Sequence, residues 1–380
     1  MKSKWKYLNS LTGRETKTSK IDSLEVDGNK ITDSAVPNEM NKFYLTIPDI
    51  LYSKIGKPER EYLSLVPSIP NSIFLNPTTV SEVKAITYSL GNTNNLYDVP
   101  AKFLKIIIEH IADILCTLYN DCMAIGQYPD VFQVGKVVPI YKQGSKVNIG
   151  NYRPISLLPT LNKIFEKILH KRIYDFLSKF NIFSDRQFGF REGYNTELAS
   201  FELIGDILPS FDDKMYTMGL FIDFEKAFDT LDRNLLLEKC WRLGLRGSTN
   251  KLLKSYFARR QQFVHVNDID SDLGDSQIGC VQGSNLGPLM FIIYANDIHN
   301  LFEDTDVKVI TYADDTVLYL TGPDVDQLYS LLIAKLKTFL DWCKFNKLSI
   351  NYTKTKIMVF SSRHFLPKEI SFNDNPINTV

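Results

Sequence analysis

The chain has 380 residues, 44% hydrophobic and 23% charged, with 44 basic and 44 acidic side chains. Against roughly 100–200 residues per domain this leaves room for two or three compact units, and it excludes a disordered, fibrous or uniformly basic nucleic-acid-coating chain. No apolar run approaches the roughly 20 residues a bilayer-crossing helix needs, no secretion signal follows Met1, and five scattered cysteines without a CxxC pair argue for a reducing, intracellular setting with neither zinc site nor disulfide framework.

In chain order, residues 1–90 are rich in Ser, Thr, Asn and Pro and read as a connector with one helix over 38–55. After Pro100, the spacing of Leu104, Ile107, Ile108, Ile111, Leu115 and Leu118 predicts an amphipathic helix with these residues inward. The β-branched run 136–141 predicts a strand, and Leu161, Ile164, Phe165, Ile168, Phe176 and Leu177 predict a second helix after Pro159. A short buried-strand pattern over 218–222 ends in Asp223. Helices over 234–243 and 250–259 follow, then a strand over 262–266. The β-rich runs 307–311 and 316–320 flank Tyr312-Ala-Asp-Asp315, which predicts a hairpin with a four-residue connection. Leu328, Leu331, Leu332, Phe339 and Trp342 mark a long helix over 325–345, and 355–360 reads as a last strand. Strands and helices mix without βαβ alternation, so the fold class is α+β with an antiparallel sheet.

The neutral total hides a split. Residues 134–175 carry eight Lys/Arg against two acids, and residues 265–327 carry twelve Asp/Glu against one Lys. A protein that grips phosphates with one region and gathers cations with another needs such asymmetry; two ordinary solvated faces produce it as well.

The strongest chemical feature is a carboxylate at a strand end together with two at a hairpin tip. If the hairpin packs beside the strand, Asp223, Asp314 and Asp315 meet at one sheet edge. At about 4 Å and an effective dielectric near 20, each pair of charges repels by roughly 4 kcal/mol. Hard divalent cations, Mg²⁺ or Mn²⁺, remove that cost, and two of them side by side serve in-line nucleotidyl transfer. Carboxylates at strand ends and loop tips are also common without any such role.

The segment Gly219-Leu-Phe-Ile-Asp-Phe-Glu-Lys-Ala-Phe-Asp229 resembles the first catalytic motif of reverse transcriptases, in the form carried by non-LTR retrotransposons of the LINE and Jockey type. Tyr312-Ala-Asp-Asp315 resembles the second. Gly279-Cys-Val-Gln-Gly-Ser-Asn-Leu-Gly-Pro288 resembles the motif under template and incoming nucleotide. Val138-Pro-Ile-Tyr-Lys142 and Asn151-Tyr-Arg-Pro-Ile-Ser-Leu-Leu158 resemble the finger motifs, and Gln187-Phe-Gly-Phe190 the element after them. Asn346-Lys-Leu-Ser-Ile-Asn351 with Lys354-Thr355 resembles the motif closing the palm. The resemblance runs in order from about Tyr97 to Phe360. Three departures stand out: Val281 replaces the usual Pro before Gln-Gly, Asn195-Thr196 stands for Ser-Thr, and Asn92-Thr-Asn-Asn-Leu-Tyr-Asp98-Val-Pro100 replaces the Gly-rich, Asp-Gly signature.

The resemblance implies a right-hand polymerase fold, fingers and an antiparallel palm sheet flanked by helices. It divides the chain into a partly helical connector (1–90), fingers (91–210), palm (211–365) and the start of a following region (366–380), with a reverse transcriptase domain over about 120–380. Asp223, Asp314 and Asp315, with the Phe224 carbonyl, would hold two Mg²⁺ or Mn²⁺ ions. Lys142 and Arg153 would hold the triphosphate, Phe228 would exclude a ribose 2′-hydroxyl, and Gln282 and Gly283 would contact the nucleotide and let the backbone approach the template. Lys354 would protonate the departing pyrophosphate or be an ordinary solvated lysine, and Asp229, beyond the strand end, is read as structural. The implied partners are an RNA template, a DNA primer and dNTPs, without a membrane; oligomeric state stays open, and a nuclear location follows from the resemblance alone. The sequence is expected to lack the endonuclease and most of the thumb of a full element, as a fragment or decayed copy does. Two rivals remain at this level: an inert relic that only binds nucleic acid, and an RNA-dependent RNA polymerase sharing the palm.

Overall fold

The computed structural model describes residues 20–26, 28–91, 99–303, 305–368, 370–372 and 375–379, so 92–98 of the 92–100 departure lies outside the described residues. A hairpin of β1 (Ser23–Val26) and β2 (Asn29–Thr32) leads into α1 (Val36–Lys54) and then α2 (Val80–Ser89). Thr79 caps α2 by accepting from the Glu82 N–H, the Thr-x-x-Glu pattern of a helix start. The sequence reading expected one helix here and a bare connector. Instead the Asn41 amide donates to the Asp272 carbonyl at 2.9 Å, and Tyr62, 2% exposed, donates to Asp341. These residues dock on the body of the protein because Tyr62, Val66, Ile73 and Leu75 are buried in the main core.

Helix α3 (Ala101–Ile125) starts after Pro100 and ends on Gly126, whose φ of 79° suits a residue without a side chain. Its buried line is Leu104, Ile108, Ala112, Leu115, Tyr119 and Met123. Ile107 and Ile111 are half-buried and Leu118 is 41% exposed, a correction to the predicted face. The small Ala112 and a Tyr119 hydroxyl that reaches the Leu161 carbonyl were invisible to a count of large aliphatics.

Next come β3 (Val134–Tyr141), β4 (Tyr152–Leu157), α4 (Thr160–Lys179), α5 (Thr196–Asp212) and β5 (Tyr216–Ile222). Helices α6 (Arg233–Arg242) and α7 (Ser248–Phe257) precede β6 (Gln261–Val266), β7 (Ile269–Asp270) and β8 (Gly274–Asp275). The chain closes with α8 (Gly287–Ala295), β9 (Lys308–Tyr312), β10 (Asp315–Gly322), α9 (Val325–Phe345), β11 (Lys356–Phe360), β12 (Ile370–Phe372) and β13 (Asn375–Thr379). The sequence reading missed β4, α5, α8 and the short strands β7, β8, β12 and β13 as elements. No helix among the described residues is long and apolar enough to cross a membrane.

Two larger sheets result. One runs β12-β13-β11-β5-β10-β9, the other β4-β3-β6-β7 with β8 also on β6. The α+β expectation holds, but the sheets are mixed: β11 runs parallel to β13 and β3 parallel to β6, while β11, β5, β10 and β9 are antiparallel. Strand β5 lies inside the first sheet with Tyr216, Thr217, Met218, Leu220 and Ile222 all buried, so it reads as a continuous apolar run and not as an alternation. Helix α8 is apolar on every side and buried along nearly its whole length, the pattern of a helix that threads the core.

One buried charge ties this core together. Lys239, 0% exposed, donates to the Tyr294 carbonyl at 2.6 Å, Asp297 at 2.7 Å and the Asn346 side chain at 2.6 Å. The other Asp297 oxygen accepts from the Trp342 indole at 3.2 Å. All three ammonium protons are thus placed, which a buried cation requires. Lys239→Met should cost about 3–5 kcal/mol by leaving the Asp297 carboxylate buried without its cation. Urea unfolding measures it, and Lys239→Met/Asp297→Leu should lose less than the single variant.

Candidate active site

Asp223 is the first residue past β5. The pairing of β5 with β10 sets Ile222 opposite Thr316, so Asp223 falls level with Asp315 at the same end of the sheet. The β9–β10 connection is tighter than predicted: Tyr312 pairs with Asp315, leaving a turn of Ala313 and Asp314. Ala313 has a φ of 59°, a conformation that costs a non-glycine residue of order 1 kcal/mol or more. The turn is held from outside. The buried Gln187 side-chain oxygen accepts from the N–H groups of Gly189 at 2.7 Å and Ala313 at 3.2 Å. The Phe188 N–H donates to the Thr311 carbonyl, and the Thr311 N–H to the Arg186 carbonyl. A Cβ on Gly189 would lie 2.1 Å from the Ala313 nitrogen. The Gln187-Phe-Gly-Phe190 string therefore shapes the turn that carries two of the acids; sequence reasoning found the string and gave it no role.

On the other side of Asp223 lies the 349–351 segment, where the Glu225 N–H donates to the Ser349 carbonyl and the Asn351 N–H to the Asp223 carbonyl. Phe224, whose carbonyl is one residue along, has its ring buried against Phe339. Lys354 extends from just beyond this segment and donates to an Asp223 carboxylate oxygen at 3.2 Å. Burial pushes the Asp314 carboxyl above its ordinary range, and Asp223 adds to the shift. Burial, Asp314 and Asp223 do the same to Asp315.

The three carboxylates are thus electrostatic neighbours at one sheet end, but among the described residues no three Asp, Glu, His or Cys side chains are drawn into a ready ligand cluster. The sequence reading expected them already close enough to share ions. Lys354 stands beside Asp223 as a counter-charge, and Lys142 and Arg153 add positive charge toward Asp314. The donor set suits a divalent cation: carboxylate oxygens from adjacent positions across one strand pair, with two carboxyls raised by burial and further by their acidic neighbours.

The remaining predicted residues surround this point. Lys142 and Arg153 are exposed on the β3–β4 hairpin, and both pull the Asp314 carboxyl back down, so their charges face the acids. Lys226, in the first motif but unassigned by sequence, is depressed chiefly by burial, with Arg153, Lys142 and Lys354 adding repulsion. Phe228 is half-buried, stacked on Phe291 at 4.7 Å and edge-on to Phe190 at 6.1 Å; its ring is both core and rim. The Gln282 carbonyl accepts from the Ser156 N–H at 2.8 Å, tying its loop to β4. Gly283 has a φ of 104°, and a Cβ there would lie 2.6 Å from the Ser156 carbonyl. The close approach this glycine permits is to β4, where sequence reasoning had assigned it to a template strand.

Gln187→Leu should orphan two buried N–H groups at about 1–3 kcal/mol each. Gly189→Ala should be at least as damaging, because a backbone nitrogen cannot rotate away. Denaturant midpoints measure both, and a Gly189→Ala variant as stable as the parent would show that the two segments do not touch.

The sequence profile of the reverse transcriptase (RNA-dependent DNA polymerase) family matches residues 140–372. Among curated relatives, the probable RNA-directed DNA polymerase from transposon BS of Drosophila melanogaster is 30% identical over 80% of this chain and 34% of the relative. The RNA-directed DNA polymerase from mobile element jockey of the same species is 27% identical over 77% of this chain and 33% of the relative. The probable polymerase from its transposon X-element is 28% identical over 68% and 29%. The chain spans about a third of the length of these relatives. It belongs to the reverse transcriptase family, and its domain is homologous to those of the jockey, BS and X-element non-LTR retrotransposons.

Proposed function

We propose that the chain is the polymerase core of a non-LTR retroelement and performs RNA-templated DNA synthesis, joining a dNTP to a primer 3′-hydroxyl. The observation that carries this reading is the β5–β10 register, which sets Asp223 level with Asp315 beside the Asp314 turn, facing cations of the β3–β4 hairpin. In this reading residues 1–90 are the connector, 91–210 the fingers and 211–365 the palm. Two divalent cations held by Asp223, Asp314, Asp315 and the Phe224 carbonyl would supply activation of the 3′-hydroxyl and neutralise charge on the pyrophosphate. The protein's own side chains do the rest. The Arg153 guanidinium and Lys142 ammonium hold the triphosphate in line. The Phe228 ring, backed by Phe291 so that it cannot retreat, stands against the sugar and excludes a 2′-hydroxyl. Lys354, whose ammonium lies 3.2 Å from an Asp223 carboxylate oxygen, would donate a proton to the leaving group.

Purified protein should extend a DNA primer on an RNA template only with Mg²⁺ or Mn²⁺. Asp314→Asn should lower the rate by at least about a thousandfold, the scale of losing one preorganised electrostatic contact at a reacting centre. Undiminished extension by that variant overturns the site, and a protein that binds the hybrid but never extends it is the inert relic. Phe228→Val should increase rNTP incorporation relative to dNTP, whereas unchanged sugar selectivity removes the proposed gate.

A further inference from the structure

The loop from Ser276 to Gly283 is held on the segment just past β5 by its main chain. The Gly279 N–H donates to the Leu231 carbonyl at 2.8 Å and the Cys280 N–H to the Phe228 carbonyl at 2.7 Å. The buried Arg233 guanidinium donates to the carbonyls of Ser276, Ile278 and Gly279. Contact is so close that a Cβ on Gly279 would lie 2.5 Å from the Asp229 carbonyl oxygen. The loop's position is therefore secured without the Asp229 side chain. What that carboxylate touches is the tip of the loop: the Gln282 amide nitrogen donates to it at 2.9 Å. An ionised carboxylate only accepts hydrogen bonds, so it dictates which end of the carboxamide faces it and leaves the carbonyl oxygen pointing elsewhere.

We propose that Asp229 is a positioning residue, fixing the orientation of the Gln282 carboxamide for the incoming nucleotide, an inference that rests on the polymerase reading above. A side chain with three rotatable bonds must otherwise be ordered anew with each nucleotide bound, and pre-ordering it strengthens binding. Burial pushes the Asp229 carboxyl up to about 6, and Lys226 opposes the shift, so the group stays mostly ionised near neutral pH.

The test uses the full chain with a primer–template hybrid, Mg²⁺ and a fluorescent dNTP, comparing Asp229→Asn, Asp229→Leu, Gln282→Leu and Asp229→Leu/Gln282→Leu. Asp229→Leu should weaken dNTP affinity and raise KM about tenfold with a smaller change in kcat, the scale of one charge-assisted hydrogen bond. Asp229→Asn keeps an acceptor and should stay within about threefold of the parent. The double variant should be no worse than Gln282→Leu alone, since Asp229 acts only through that side chain. Affinities within twofold for Asp229→Leu, with only its denaturation midpoint lowered, overturn the proposal, as do losses that simply add. A parent chain that binds dNTP without extending the primer refutes the polymerase reading, while the affinities still decide the role of Asp229. A parent that binds no dNTP overturns both.

Discussion

The site depends on one backbone constraint, the register of β5 against β10. Because Ile222 faces Thr316, the residue that follows β5 and the residue that opens β10 arrive at the same edge, and a one-residue slip would send every side chain of β10 to the other face. The turn that carries Asp314 is clamped from one side by Gln187 and Gly189. The end of β5 is clamped from the other by Ser349 and Asn351. Four segments remote in sequence thus meet at one sheet end, each held by main-chain or amide hydrogen bonds with no dependence on the charges they present.

That scaffold reaches back to the buried ammonium. Lys239 fixes the Asn346 side chain, the Tyr294 hydroxyl takes the Asn346 carbonyl, and the chain runs from there into the 349–351 segment that pairs beside Asp223. A polar network that is fully satisfied in a dry core specifies one arrangement, because every alternative leaves a group unpaired. The core helices α8 and α9 thereby set where the strand that leads into Asp223 ends, and the position of Asp223 is a consequence of packing some distance behind it.

Charge works in the opposite sense, against order. Burial, and after it the neighbouring acids, raises the Asp314 and Asp315 carboxyls, and Lys354, Lys142 and Arg153 ease part of the imbalance from outside. The neutral composition conceals this local opposition of a basic hairpin and an acidic sheet end. It is the arrangement a nucleotide–cation complex would complete, with anionic phosphates toward the hairpin and cations toward the acids.

Motif strings picked out the three acids and the two hairpin cations, and apolar spacing the long helix Val325–Phe345, though Leu331 of its stripe faces solvent, because those features are local: a strand that ends in Asp, a turn that holds two more, a helix with its periodic stripe. The roles of Gln187, Gly189, Asp229 and Gly283 were not legible. Each depends on a partner more than fifty residues away in the chain or across a sheet, such as Ala313, Gln282 or Ser156, and a one-dimensional pattern carries no record of such approaches. The inward face of Ala101–Ile125 was misjudged for the same reason, since a helix packs with the line its neighbours accept, and that line includes the small, fully buried Ala112. The sequence alone therefore determined the chemistry available and its order along the chain. Tertiary structure decided which groups face one another and at what distance, since non-local approach is set by sheet register, glycine clearance and the need to pair every buried polar atom.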